Sequence, residues 1–376
     1  MINSLYVHIP FCVKKCIYCD FFSIPYDEGL ALSYVDALVR ELALRKTLAG
    51  ELSTIYVGGG TPTTLPFVAL IRLFRAIRDK FSVAADAEIT VEANPGTVDR
   101  EKVRALAGLG VNRFSLGAQS FADGTLKFLG RVHTFEDVLR TVAAVRDSTI
   151  ENFSMDLIYG IPGQTPDEWR ETVSTAIELA PQHISAYELT PEKGTPLFVK
   201  IEKGELAKPS EDSIIEMYYH AIDRLGEAGY RHYEISNFAK SGFECRHNLN
   251  YWNRGKYIGI GAAAHSFISN RRMNNLRDVG AYIRMLGEER LPVEESIEIS
   301  RDDAMKEAVF LGLRKTEGLD IRMFSEQLGI DILKASENLI VHGLIISDGD
   351  HLRLTRRGIV VSNTVITELL QRLELQ

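Results

Sequence analysis

The sequence predicts an α/β protein: a partial (β/α)6 barrel of the TIM type, followed by a C-terminal, mainly helical domain of winged-helix-like shape. Three observations predict it. Residues 1–190 alternate short apolar β-like runs with helical runs whose apolar residues recur at spacings of 3, 4 and 7, the signature of parallel βαβ units. The unusual polar and glycine residues fall at the C-terminal ends of the β-like runs, where barrels place their chemistry. Beyond residue 300, three helical runs precede two short apolar runs joined by Asp348-Gly349, a strong hairpin signal.

The predicted strands are 5–9, 53–57, 87–93, 113–117, 154–159 and 183–189. Between the first two, a long helix carries Ala31, Val35, Leu38 and Leu42 on one face. The next helix is expected to turn Phe67, Ile71, Phe74, Ile77 and Phe81 inward. A later helix has an explicit start, with Thr165 as N-cap, Pro166 at the first position and Glu168 closing a capping box. Residues 210–226 read as a helix burying Ile214, Tyr218, Ile222 and Leu225. Residues 230–270 are rich in aromatics, Asn and Gly, which suits loops covering the barrel mouth. Pro292 marks a boundary, so the expected domains are 1–230 (barrel), 231–299 (mouth cover) and 300–376 (winged-helix-like).

Composition is that of a globular chain, 45% hydrophobic and 25% charged, with a net charge of -8. Such a chain is not built to neutralise phosphates. The winged-helix shape raises DNA binding, but residues 300–376 hold ten Lys/Arg against twelve Asp/Glu, and Lys334 is the only Lys or Arg in the candidate recognition helix 331–342. No nucleic-acid partner is expected. No run of 18 apolar residues suggests a transmembrane segment. The first residues lack the basic and apolar regions of a signal peptide. The expected location is the cytoplasm, where clustered thiols mean metal and not disulfide.

Three of the four cysteines, Cys12, Cys16 and Cys19, fall within eight residues, directly after the first strand. Thiolates suit zinc, Cu(I) or iron–sulfur clusters. A structural zinc site wants four ligands, and this run offers three. Three thiolates on a 4Fe–4S cluster would leave one iron open. An incomplete zinc knuckle is the plainer alternative.

The later strand ends would converge with this loop on one rim. Gly58-Gly59-Gly60-Thr61 follows the second strand, and its backbone N–H groups could bind a carboxylate or merely form a turn. Glu92 and Asp156 stand in apolar strands, where a carboxylate needs a partner and ligand contact is the expected one. Gln119 either contacts a ligand or satisfies nearby backbone. Arg131 pairs with a nearby acid or with a ligand carboxylate.

The Cys12–Cys19 run, with Tyr18 before its last cysteine, resembles the radical S-adenosylmethionine (SAM) signature. The ordered stretches YVHIPFC, GGGTPT, EANP, LGAQSF and DLIYGIPG resemble the oxygen-independent coproporphyrinogen III oxidase superfamily of radical SAM proteins. The resemblance covers nearly the whole chain. It implies that Cys12, Cys16 and Cys19 hold the cluster, with Tyr6, Tyr18, Gly59, Gly60, Thr61, Glu92, Gln119, Arg131 and Asp156 around SAM. It also implies a reductant protein, whose electron cleaves SAM to methionine and a 5′-deoxyadenosyl radical. The oxidases carry a further cysteine two residues after the third ligand, where this chain has Phe21, and a long N-terminal extension that this sequence lacks. The chain is therefore more similar to the HemW-type haem chaperone branch, which implies haem as ligand and a haem-acceptor protein as partner. The alternative is oxidative decarboxylation of coproporphyrinogen III to protoporphyrinogen IX.

A later stretch, His247-Asn248-Leu249-Asn250-Tyr251-Trp252, resembles that branch's HNxxYW motif. His247 could ligate haem iron, with Tyr251 and Trp252 stacking on the macrocycle, or all three could pack structurally. Cys245 could be a haem thiolate, a fourth cluster ligand, or a small buried residue. His8 is expected to hydrogen-bond the cysteine loop and not a metal.

Overall fold

The computed structural model describes residues 2–374. Six parallel strands follow one another across its main sheet: β1 (Ile2–Ile9), β2 (Ala49–Gly59), β3 (Val83–Ala93), β4 (Arg113–Gln119), β5 (Asn152–Tyr159) and β6 (His183–Glu188). The connecting helices are α1 (Glu28–Arg45), α2 (Phe67–Lys80), α3 (Arg100–Gly108), α4 (Phe135–Arg146) and α5 (Pro166–Glu178), with α6 (Glu211–Glu227) after β6. The strands are nearly continuous in buried apolar residues, as parallel strands covered on both faces must be; Phe114, Leu116 and Ala118 of β4 are all inaccessible.

Three short strands complete the sheet. β7 (Arg231–Glu234) and β8 (Asn237–Ala239) run antiparallel beyond β6, and β9 (Ile258–Ile260) pairs in parallel with β1 at the other edge. The nine strands run in the order β9-β1-β2-β3-β4-β5-β6-β8-β7, an open barrel.

Local signals explain most elements. Ala31, Val35, Leu38 and Leu42 are buried on α1. Thr165 and Glu168 form the reciprocal capping box, with Pro166 beginning α5. On α2 the inward face is Leu70, Leu73, Phe74 and Ile77, with Ala69 and Ala76. Phe67 is exposed, a correction to the expected stripe: it is the first helical residue, and the inward face begins two residues later, at Ala69. On α6, Tyr218 and Leu225 are buried with Met217 and Ala221, while Ile214 and Ile222 pack at the core's margin.

Residues 230–270 are largely regular structure and not loops, and Asn248 among them lines the cavity at the barrel mouth. They supply β7, β8 and β9, a short helix α7 (Arg246–Trp252), and β10 (His265–Ile268), which pairs with β11 (Arg271–Asn275); β11 in turn pairs with β12 (Val293–Glu298), making a small antiparallel sheet. Sequence reasoning missed these strands because each is too short to show a period of two.

The C-terminal elements are α8 (Arg301–Gly312), β13 (Leu319–Asp320), a helical turn Met323–Leu328, α9 (Ile332–Val341), the hairpin β14 (Ile345–Ser347) and β15 (His351–Leu354), and α10 (Ser362–Leu373). The hairpin turns at Gly349, whose φ of 99° favours glycine. Met305, Val309, Phe324, Leu339, Leu352 and Leu369 belong to a core distinct from that of the barrel. Backbone bonds Ile235 N to Arg314 O (2.9 Å) and Thr316 N to Tyr233 O (3.1 Å), and the paired bonds of Arg356 to Asp223, tie this unit to the barrel.

Among the described residues no helix is long and apolar enough to cross a membrane.

Candidate functional site

A cavity of about 360 Å3 opens at the C-terminal ends of β1–β6. Cys12, Cys16, Tyr18, Cys19, Gly59, Gly60, Thr61, Glu92, Gln119, Arg131 and Asp156 all line it. Eleven of the residues picked from sequence thus meet in one place. The thiols are half-buried and free. Burial, reinforced by the neighbouring thiols, pushes Cys19 up to about 11.

Arg131 organises the polar side. Its Nη2 donates to Asn94 Oδ1 and to Gly117 O, both at 2.6 Å, and Nη1 lies 3.6 Å from Cys16 Sγ. Its Nε is buried without any partner. An unpaired buried guanidinium nitrogen is costly, and a ligand carboxylate would satisfy it. Neither Glu92 nor Asp156, the carboxylates of the same cavity, forms an ion pair with it.

Both carboxylates have partners inside the chain. Glu92 Oε1 accepts from Tyr56 Oη (2.8 Å) and Oε2 from Gly59 N (3.0 Å). Burial nevertheless holds Glu92 up to about 7, against these two donors. Its side chain is half-buried at the cavity wall. Asp156 accepts from Ser115 Oγ at 3.0 Å and is also raised by burial.

The glycine run works differently from expectation. Gly59 N donates to Glu92, Gly60 N to Ile9 O (2.8 Å) and Thr61 N to Phe11 O (2.8 Å), so none of the three donors is free for a ligand. The glycines serve close approach: Gly59 has φ 116°, and a Cβ there would meet the His8 ring at 2.6 Å. Gln119 ends β4 with φ 64°, an uncommon conformation for a side-chain-bearing residue, where the β4–β5 register breaks.

Tyr6 does not line this cavity. It stacks on Tyr56 (centroids 6.2 Å apart), donates to His8 Nδ1 (2.9 Å), and faces a second cavity. His8 Nε2 donates to Phe22 O (2.9 Å), bonding the cysteine loop.

His247 lies elsewhere again, in the packed arrangement that is one of its two expected readings. It is 1% exposed and lines neither cavity. Thr54 Oγ1 donates to Ser4 Oγ, so it accepts from His247 Nδ1 (2.8 Å), and Nε2 accepts from Tyr251 Oη (2.9 Å). The ring also stacks on Tyr56. The cause is α7, whose first turn inserts below the cavity: the N–H groups of Arg246 and His247 both donate to Glu88 at 3.0 Å, a carboxylate at a helix start. Cys245, also expected as a possible ligand, is inaccessible, sits 3.6 Å from Glu88 and lines neither cavity. Burial pushes its thiol up to about 12.

Sequence reasoning assigned no role to Tyr56, Asn94, Arg113 or Ser115, which also line the cavity. Asn94 had a visible signal, an amide just after Glu92 at a strand end.

Residues 6–176 match the model of the radical SAM superfamily, and residues 299–361 match the HemN C-terminal domain. The chain is 38% identical to the heme chaperone HemW of Bacillus subtilis (strain 168), over 99% of this chain and 100% of that one. The chain belongs to the HemW family of radical SAM proteins. It is 41% identical to HemW of Escherichia coli (strain K12), over 71% of this chain and 70% of that one. The mouse protein named radical S-adenosyl methionine domain-containing protein 1, mitochondrial, is 33% identical over 99% of this chain and 88% of its own. Among solved structures, E. coli coproporphyrinogen III oxidase (HemN), described as a radical SAM enzyme, superposes with a TM-score of 0.85 at 26% identity, covering 97% of this chain and 89% of that one. Membership implies a 4Fe–4S cluster and SAM as cofactors.

Proposed function

We propose that this protein binds haem and passes it to an acceptor protein, using a 4Fe–4S cluster and SAM held at the barrel mouth. The observation that carries this reading is the end-to-end likeness to a heme chaperone together with Phe21. Phe21 stands where the oxidases carry a further cysteine, and it is 65% exposed.

In this reading Cys12, Cys16 and Cys19 hold the cluster; an all-thiol donor set suits iron and sulfide. Bound there, the cluster would supply one electron to the sulfonium of SAM. Arg131 Nε, the unpaired donor, takes the SAM carboxylate, and Asn94 and Gly117 fix the guanidinium in place. Glu92, kept rigid by Tyr56 and Gly59, takes the ammonium. Tyr18, Gly59, Gly60, Thr61, Gln119 and Asp156 shape the remaining walls; Tyr6 acts indirectly, by supporting Tyr56 and His8. A reductant protein and a cytoplasmic setting complete the proposal. We also propose a division into barrel, a segment of short strands and α7 (231–299), and a C-terminal unit that recruits the acceptor.

The test is a titration of anaerobically reconstituted protein with haem, followed by its Soret band above the cluster's own absorption. Saturable binding and transfer to an apo-acceptor are expected; absence of saturable binding overturns the reading. The likeness to HemN favours one rival, decarboxylation of coproporphyrinogen III. Protoporphyrinogen IX formed in the presence of SAM and a reductant would establish that rival instead.

A further inference from the structure

The cavity at the barrel mouth continues inward past the cysteine loop. At its inner end it is lined by Arg113, which opens β4, and His183, which opens β6. Gly117 O, which receives the guanidinium of Arg131, stands four residues further along β4, about 13 Å along the strand. The cavity therefore has two arginines, rooted at different depths.

Arg113 is 2% exposed, and its Nε has no hydrogen-bond partner. Among the described residues no carboxylate lies within ion-pair distance of it. Glu88 is near enough for its charge to be felt, but its oxygens are taken by the Arg246 and His247 N–H groups of α7. Of the cavity's own carboxylates, Asp156 accepts from Ser115, and Glu92 accepts from Tyr56 and Gly59. Asp20, Glu188 and Glu192 belong to the mouth. A guanidinium buried without an acceptor is costly, and the partner it lacks is an anion.

His183 is 1% exposed, and its Nδ1 also lacks a partner. Its Nε2 meets Tyr233 Oη at 2.8 Å. That hydroxyl accepts from Cys245 N, so its own proton goes to Nε2. Burial, with the Arg113 charge nearby, holds the imidazole well below its ordinary pKa. The neutral ring therefore carries its one proton on Nδ1, a second unused donor in the same cavity.

One cation and one neutral donor suit a single negative charge. The planar fork of arginine matches a carboxylate. A dianion such as phosphate would leave one charge uncompensated beside Asp156 and Glu88. We infer that the inner end of the cavity binds the carboxylate of a small monoanionic molecule, held by the Arg113 guanidinium and His183 Nδ1–H. This ligand is additional to SAM, whose carboxylate is assigned to Arg131. The inference goes beyond the chaperone reading and stands or falls apart from haem.

The experiment titrates anaerobically reconstituted protein with isotope-labelled acetate, followed by NMR line broadening and by the thermal midpoint. SAM is present at saturation, without reductant, to occupy Arg131. Saturable acetate binding is expected, with inorganic phosphate at equal ionic strength binding more weakly. Arg113→Met should weaken acetate about tenfold or more, the worth of a charge-assisted hydrogen bond. It should leave the midpoint of ligand-free protein unchanged or higher, because it removes an unpaired buried charge; an arginine serving only the fold would lower it. His183→Ala should weaken acetate a few-fold, and His183→Asn, which keeps a donor near the Nδ1 position, should restore it. If Arg113→Met does not fold, the two His183 variants carry the test. Acetate binding that persists in Arg131→Gln supports a site separate from that of the SAM carboxylate, whether or not SAM binds. Loss of acetate in Arg131→Gln with retention in Arg113→Met would overturn the inference. So would wild-type affinity in His183→Ala, phosphate binding as tightly as acetate, or no saturable acetate binding in wild type.

Discussion

The mouth and the floor of the barrel are both lined with buried polar groups, but their accounting differs. On the floor, Glu88 accepts two backbone N–H groups of α7, and both nitrogens of His247 are engaged. At the mouth, the Arg131 Nε is left over and three thiols face open space. A buried polar atom whose partners lie in the chain is accounted for by the fold; one left without a partner on a residue that lines a cavity, as Arg131 does, is where a ligand can bond. His247 and Arg131 look equally functional in sequence, and this test separates them.

The comparison breaks most directly at the cysteines. Replacing Cys12, Cys16 or Cys19 by alanine should take anaerobically purified protein from about four irons per chain to nearly none, measured by iron and sulfide analysis. Zinc in place of iron in wild type would refute the assignment of the mouth altogether.

Floor substitutions should instead cost stability. Glu88→Ala strands two N–H groups in a buried place, a loss of about 2–4 kcal/mol, read as a lower thermal or urea midpoint. His247→Ala removes two hydrogen bonds and a ring packed on Tyr56, a loss of about 2–4 kcal/mol. Iron per folded chain should not change in either. A His247→Ala protein that keeps wild-type stability but loses haem would place His247 with the ligands and undo the contrast between mouth and floor.

Arg131→Gln tests the mouth without removing a thiol. It should weaken SAM binding about 10- to 100-fold, the worth of a charge-assisted hydrogen bond, measured by equilibrium dialysis with the cluster intact. Unchanged affinity would mean that the unpaired Nε waits for something else.

How much of this was legible depended on the range of each cause. The six parallel strands could be read because each is a buried apolar run of some length, and the cysteine run because its spacing is local. The α7 motif was half legible. Its spacing puts His247 and Tyr251 on one helical face, and they do bond each other. Which surface that face meets is decided by Glu88 and Thr54, far off in sequence. Tyr56 was missed for the same reason: alone it reads as a residue suited to a strand, and only Glu92 on the neighbouring strand gives it a task. The free N–H groups expected in the glycine run could not have been excluded either, since their acceptors, Ile9 and Phe11, belong to another strand end.

The smallest effect concerns Glu92, a mouth carboxylate that burial raises against two hydrogen-bond donors. Held up to about 7 from an ordinary 4.5, it keeps in the folded chain a proton that the unfolded chain releases between those values. Its contribution to stability is therefore fully present below about pH 4.5 and is lost as pH rises through about 7. Because one side faces the cavity, the loss should be only about 1 kcal/mol. Glu92→Gln should flatten that stretch of the stability profile of ligand-free protein. If Glu92 also receives the ammonium of SAM, binding favours its ionised form, so wild type should bind SAM more tightly at pH 8 than at pH 6. Glu92→Gln should show no such gain. A gain of equal size in both proteins would assign the titration to another group and leave Glu92 as a brace for Tyr56 and Gly59, a floor-type residue at the mouth.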